Sequence, residues 1–188
     1  SFKLRGAYNK IAGLDRASLG QGVIAASAGN HAQGVALAAA QLGLRALIVM
    51  PRTTPEIKVE SVRELGAEVV LHGDSYDEAY AHSTELAAQR GLTYIHPYDD
   101  PDVIAGQGTI AVEIFRQHPD RIDAIFVPVG GGGLCAGIAA YASSVRPETQ
   151  IVAVEAEGSA CLAAAMRAGR PVALADVGLF ADGVAVRQ

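Results

Sequence analysis

Short apolar runs alternate with longer helix-like stretches, and this predicts an α/β fold built on mostly parallel sheet. Three observations carry the prediction. Six strand-like runs fall at residues 23–26, 46–49, 68–71, 93–95, 124–129 and 151–155, with helical stretches between them. Glycines stand where several of those stretches should stop. The composition is 50% hydrophobic with 21 glycines, as expected of strands covered on both faces.

In chain order, Ser1-Phe2-Lys3-Leu4-Arg5-Gly6-Ala7 opens a predicted helix over 3–12 that stops at Gly13. The run 23–26 leads through a polar turn into a helix over 31–42, closed by Gly43. Strand 46–49 precedes a helix over 55–65, with Pro55 in its first turn and Gly66 after it. Strand 68–71 precedes a helix over 76–90, which Asp74 or Ser75 caps, with Asp77 and Glu78 in its first turn and Gly91 at its end. Strand 93–95 comes next, then a helix over 103–117. Strand 124–129 runs into Gly130, Gly131, Gly132 and Gly133, and a helix over 134–144 follows. Strand 151–155 precedes a helix over 160–168, closed by Gly169. The near-even spacing of Gly43, Gly66 and Gly91 reflects right-handed βα units rather than a repeat, because the units share little sequence. Asp99-Asp100-Pro101-Asp102 joins turn formers to a shift in composition, so it divides the chain into lobes at 1–100 and 101–188.

Several function classes fall away. The net charge is −5 and no basic cluster occurs, which argues against a nucleic-acid partner. No uninterrupted apolar run approaches the roughly 18 residues of a membrane span. The opening residues are not those of a signal peptide. Cys135 and Cys161 have neither metal nor CxxC spacing and read as reduced core residues of a cytoplasmic protein; no metal is expected. The chain does not begin with Met, and the expectation is a piece of a longer protein.

Three places carry chemistry. The four glycines between a strand and a helix let backbone N–H groups approach an anion, and the helix N-terminus adds donors and positive dipole. A phosphate-bearing ligand is the functional reading; a tight strand-to-helix turn is the bland one. Ser27-Ala28-Gly29-Asn30-His31-Ala32-Gln33-Gly34 has the same strand-to-helix placement and suits a carboxylate, with Asn30 supplying an amide; simple capping by Ser27 or Asn30, with His31 solvated or packed, explains it equally. Lys3 is one of only three lysines, against twelve arginines. It follows Phe2, and an apolar setting would make its amine a usable nucleophile or base, although most lysines are surface groups.

These three motifs, in this order, resemble the fold-type II pyridoxal-phosphate enzymes, and among them the biosynthetic threonine dehydratases. Val154-Glu155-Ala156-Glu157 and Gly178-Leu179-Phe180-Ala181 add to the resemblance, which covers essentially the whole chain. It implies that pyridoxal 5′-phosphate is the cofactor. Lys3 would be the catalytic residue and form its Schiff base. Phe2 would lie against the cofactor ring, and Asn30 would bond the ring's phenolic oxygen. Gly130, Gly131, Gly132, Gly133 and Leu134 would hold the phosphate. Ser27, Ala28, Gly29, Asn30 and His31 would hold the substrate carboxylate. The implied reaction converts L-threonine to 2-oxobutanoate and ammonia, with Lys3 taking the α-proton and L-serine as a slower substrate. A homo-oligomer is expected of the whole protein.

The resemblance also discriminates. Serine racemases carry a serine where Ala28 stands, and Ala28 has no group to move a proton, so elimination is favoured over racemisation. Glu155 matches one ligand of the racemases' carboxylate metal site, but Cys161 falls where another carboxylate is expected. The family has a segment before the lysine motif and a later one carrying the partner of the pyridine nitrogen, so the 188 residues alone are expected to turn over little substrate. A catabolic serine/threonine dehydratase and a racemase-like enzyme remain alternatives within the family. Outside it stand a non-catalytic nucleotide-binding module and a structural or oligomerisation fragment. The glycine run sits on a late strand rather than the first, which counts against the nucleotide module.

Overall fold

The computed structural model describes residues 1–15, 20–178 and 180–188, and the chain forms two compact units, Ser1–Pro97 and Tyr98–Gln188. Leu179 of the Gly178-Leu179-Phe180-Ala181 motif lies outside the described residues, as do Arg16, Ala17, Ser18 and Leu19.

The first unit runs α1 (Lys3–Gly13), β1 (Val23–Ala26), α2 (Asn30–Gln41), β2 (Ala46–Met50), α3 (Glu56–Arg63), β3 (Glu68–Leu71), α4 (Tyr76–Arg90) and β4 (Thr93–Tyr94). Its four strands are parallel in the order β3-β2-β1-β4. Every residue of β1 and β2 is buried, which is why both read as unbroken apolar runs rather than as alternation. Ile24, Leu47 and Val49 pack against Ala79 and Leu86 of α4. Alternation turns Val23, Ala25 and Ile48 to the opposite face, where α2 contacts both strands. Each fully buried Ile or Val here contributes about 1.5–3 kcal/mol of transfer free energy.

The helix ends follow local chemistry, with shifts from expectation. Ser75 caps α4 in a full capping box: its hydroxyl accepts from Glu78 N–H at 3.3 Å, and Glu78 accepts from Ser75 N–H at 3.0 Å. Gly91 closes that helix at φ +62°. Pro55 is the N-cap of α3 at ψ 138°, one position outside the predicted first turn. Helix α1 continues through Gly13 and ends at Leu14, whose N–H still reaches the Ile11 carbonyl.

The second unit runs α5 (Pro101–Gln117), β5 (Ala124–Pro128), α6 (Gly133–Val145), β6 (Gln150–Val154) and α7 (Cys161–Ala168). Strands β5 and β6 are parallel, with Phe126 opposite Val152. Asp100 caps α5, accepting from the N–H groups of Asp102 and Val103, with Pro101 in the first turn. The turn formers there mark a helix start. Ala111, Val127 and Ile138 form the core, with Ile125, Tyr141 and Ile151 packed on it. Helices α5 and α6 meet backbone to backbone: a Cβ on Gly137 would lie 2.3 Å from the Ile104 carbonyl oxygen and 2.7 Å from Gly108 N. That contact sets where the N-terminus of α6 lies within the unit. No helix among the described residues is long and apolar enough to cross a membrane.

Candidate active site

A parallel sheet ordered β3-β2-β1-β4 reverses its winding direction between β1 and β4. Ligands of open α/β sheets bind outside the carboxyl ends of the strands at such a switch point. Beyond β1 lies the loop of Ser27, Ala28 and Gly29, and beyond β4 lie Ile95, His96 and Pro97. Two predicted site residues reach this place. The Lys3 Nζ donates to the Pro97 carbonyl at 2.6 Å, and the His31 Nε2 bonds the Ile95 carbonyl at 2.9 Å.

Lys3 is the first residue of α1, with Phe2 at the N-cap and its ring centroid 5.4 Å from Nζ. Helix α2 crosses α1 at this turn. A Cβ on Gly34 would lie 3.0 Å from Leu4 N and 3.1 Å from the Lys3 carbonyl carbon, so Gly34 permits the approach. Burial lowers the Lys3 pKa from 10.5 to about 8. Near neutrality this raises the fraction of free amine roughly 300-fold over an ordinary lysine.

The start of α2 is an open set of donors. Ser27 Oγ accepts from Gly29 N–H at 3.2 Å, which fixes the turn ahead of α2; Gly29 is the N-cap, and among the described residues no side chain caps the helix. Among the described residues, nothing accepts from the N–H groups of Asn30, His31 and Ala32, and the Asn30 side chain is exposed with no partner. The capping by Ser27 or Asn30 that would explain this turn without a ligand is therefore not made, and the first N–H groups of α2 are left for an anion. His31 is packed rather than solvated: it is 3% exposed, and burial pushes its pKa down to about 4. A carbonyl only accepts, so neutral His31 carries its proton on Nε2; Nδ1 is left a buried acceptor with no hydrogen-bond partner among the described residues. Ala28 is half-buried and offers no polar side-chain atom.

In the second unit the glycine run leads from β5 into α6, with Gly132 as N-cap at φ +86°. Its glycines have definite neighbours. A Cβ on Gly131 would lie 2.3 Å from the Tyr98 ring, one on Gly133 2.6 Å from the Tyr98 carbonyl oxygen, and one on Gly130 3.2 Å from Val184 Cα. Packing within the unit therefore already requires glycine at Gly131 and Gly133, so glycine count alone says less about a ligand than expected. The donors say more. Among the described residues, nothing accepts from the N–H groups of Gly131, Gly132, Gly133, Leu134 and Cys135. Consecutive unpartnered N–H groups at the start of a helix fit a phosphate.

Glu155 has a structural task. Its two carboxylate oxygens accept from Leu162 N–H and Ala163 N–H, each at 2.8 Å, at the start of α7. The Cys161 thiol donates to the Gly130 carbonyl at 3.5 Å, and burial followed by the Glu155 charge raises its pKa. Sequence reasoning missed Ile95, Pro97 and Tyr98. Their part is to supply carbonyls or a ring to residues far along the chain, and only the position of Pro97 just past a strand hinted at it.

With this geometry in hand, comparison with known proteins is specific. A biosynthetic L-threonine dehydratase from Burkholderia multivorans is 59% identical over 190 residues, which cover 100% of this chain and 38% of the relative. The solved processed form of threonine deaminase isoform 2 from Solanum lycopersicum superposes with a TM-score of 0.97 at 56% identity, covering 100% of this chain and 54% of that one. Maize serine racemase gives a TM-score of 0.94 at 38% identity over 99% of this chain and 56% of its own. The chain spans 36–38% of the length of the curated bacterial relatives it matches. The family model described as pyridoxal-phosphate dependent enzyme matches residues 1–188, and with its parallel α/β units the chain belongs to the pyridoxal-phosphate-dependent enzymes of fold-type II.

Proposed function

We propose that this chain serves the dehydration and deamination of L-threonine to 2-oxobutanoate and ammonia, the first step of isoleucine biosynthesis. The observation that carries the reading is the Lys3 amine of lowered basicity at the carboxyl ends of β1 and β4, beside the open donors of α2. The identity to biosynthetic threonine dehydratases over the whole chain supports the choice of substrate. Pyridoxal phosphate, when bound, supplies the electron sink that makes the substrate α-proton labile.

The chain's own residues do the rest. Lys3 would hold the cofactor at its aldehyde end and would take the substrate α-proton; a pKa of about 8 keeps part of its amine free to do so. Leaving the Pro97 carbonyl is the cost of either role. The N–H groups of Asn30, His31 and Ala32 bind the substrate carboxylate, with Ser27 holding the turn through Gly29. Asn30 would hold the cofactor through its phenolic oxygen, and Phe2 would lie against its ring. The N–H groups of Gly130, Gly131, Gly132, Gly133 and Leu134, with that of Cys135 next to them, would hold the phosphate. Ala28 moves no proton, which favours elimination over the racemisation of the maize neighbour. Residues 1–100 act as the small lobe and 101–188 as part of the large one, in a cytoplasmic homo-oligomer that accepts L-serine more slowly.

The test is borohydride reduction of the cofactor-loaded, full-length protein followed by peptide mapping. The label is expected on Lys3; a label on Lys10 or Lys58 would overturn the assignment. Release of 2-oxobutanoate from L-threonine in the same preparation checks the substrate, and D-serine formation from L-serine would favour the racemase alternative.

A further inference from the structure

We infer that Tyr98 is a positioning residue for the phosphate-binding loop, its ring and backbone holding the loop in the form that leaves the N–H groups unpartnered. The inference rests on the reading of the loop given above. A Cβ on Gly131 would lie 2.3 Å from Tyr98 Cγ and Cδ2 and 2.5 Å from Cδ1, so the face of the ring lies directly on the Gly131 backbone. A Cβ on Gly133 would meet the Tyr98 carbonyl oxygen at 2.6 Å and its Cα at 3.0 Å. One residue thus abuts two alternate glycines of the run.

The loop needs such a support. Four glycines lose more conformational freedom on ordering than any other four residues. Among the described residues, and apart from the ladder of α6 itself, the run is fixed by Ala136 N–H on the Gly132 carbonyl at 2.8 Å and by the Cys161 thiol on the Gly130 carbonyl. Among the described residues, no side chain caps α6. Tyr98, by contrast, is well anchored. Asp100 caps α5 two residues later, α5 is locked on α6 through Gly108 and Gly137, and the Tyr98 hydroxyl donates to the Gln188 carbonyl at 3.4 Å. The ring therefore transmits the rigidity of the α5–α6 pair to the loop. It removes an ordering cost that phosphate binding would otherwise carry.

A planar ring on Gly131 is the requirement, and the hydroxyl is secondary. Tyr98→Phe keeps the contact, whereas Tyr98→Ala and Tyr98→Leu remove the flat surface. The readout is the ratio of dissociation constants for pyridoxal and pyridoxal phosphate on the full-length protein, because only the phosphate engages the loop. Tyr98→Ala is expected to lower that ratio roughly tenfold from the wild-type value, Tyr98→Leu to act similarly, and Tyr98→Phe to keep it. A merely structural role would weaken both ligands alike and leave the ratio in place, which overturns the inference. The two readings fail differently. If the wild-type protein binds pyridoxal and its phosphate equally, the loop reading fails and takes this one with it. A strong phosphate preference that survives in Tyr98→Ala or, should that variant not fold, in Tyr98→Leu sinks the role of Tyr98 alone.

Discussion

Replacing Lys3 by Met should stabilise the protein while removing its chemistry. The reasoning starts from the ammonium group. Its pKa falls from 10.5 to about 8 because burial disfavours the charge. That fall corresponds to a ceiling of about 3 kcal/mol by which folding disfavours charged relative to neutral Lys3. Methionine keeps a flexible stem of similar reach and carries no charge. It gives up the 2.6 Å bond to the Pro97 carbonyl, and an acceptor left poorly satisfied costs about 1 kcal/mol. The balance is a gain of about 1–2 kcal/mol near neutrality. The sign with pH follows from which state holds the proton. Between about 8 and 10.5 the unfolded lysine is protonated and the folded one is not. Wild-type stability therefore rises through that window, and the advantage of Lys3→Met shrinks and disappears above it. Urea unfolding followed by circular dichroism, on both proteins at neutral and alkaline pH, measures the difference. A variant less stable than wild type near neutrality, or a difference that does not change through the window, would refute the argument.

Other consequences are open to the same methods. Gly137→Ala should destabilise the second unit by about 2 kcal/mol, because a methyl 2.3 Å from the Ile104 carbonyl oxygen outweighs the gain in helix propensity of up to about 1 kcal/mol; a rise in the urea midpoint would contradict the backbone contact of α5 and α6. His31 stays neutral in the fold down to about pH 4, whereas the unfolded residue protonates near 6.5. Its contribution is therefore present above 6.5 and lost as pH falls toward 4, by at most about 3 kcal/mol. In His31→Gln, which keeps a donor for the Ile95 carbonyl, that part of the acid slope in urea midpoints should vanish. Glu155→Gln should cost about 1–2 kcal/mol, because the amide keeps one acceptor oxygen and turns a donor nitrogen toward the second N–H at the start of α7, read as a lowered thermal midpoint.

The parts of the fold legible in the sequence are those decided by local chemistry. Strands β1 and β2 show as apolar runs because both faces are covered, and α4 shows because Ser75, Glu78 and Gly91 mark its ends within a few residues. Boundaries that depend on partners elsewhere were less legible. The strand expected through Ile95 stops at Tyr94, and the helix expected from residue 103 begins at Pro101 because Asp100 caps it. The site divides in the same way. The Ser27 and glycine-run turns announce themselves as strand-to-helix turns. For Lys3 only Phe2 is a local sign, since its burial comes from residues up to Pro97, and the resemblance of the motif to a known family had to supply the rest. Glycine was expected at Gly131 and Gly133 for the sake of a ligand, whereas Tyr98 already excludes a side chain at both.

Strand β4 is only two residues long, and its brevity has a use. A longer strand paired along β1 would commit its carbonyls to the sheet ladder. Stopping at Tyr94 leaves Ile95 donating its N–H to Ile24 while its carbonyl turns to His31, and the next proline carbonyl is taken by Lys3. Proline also has no N–H with which to extend the ladder. The early end of one strand thus frees main-chain acceptors for two side chains, and the sheet edge acts as a docking strip for movable groups. Changes that lengthen β4 would therefore deprive Lys3 of its resting partner without touching Lys3 itself.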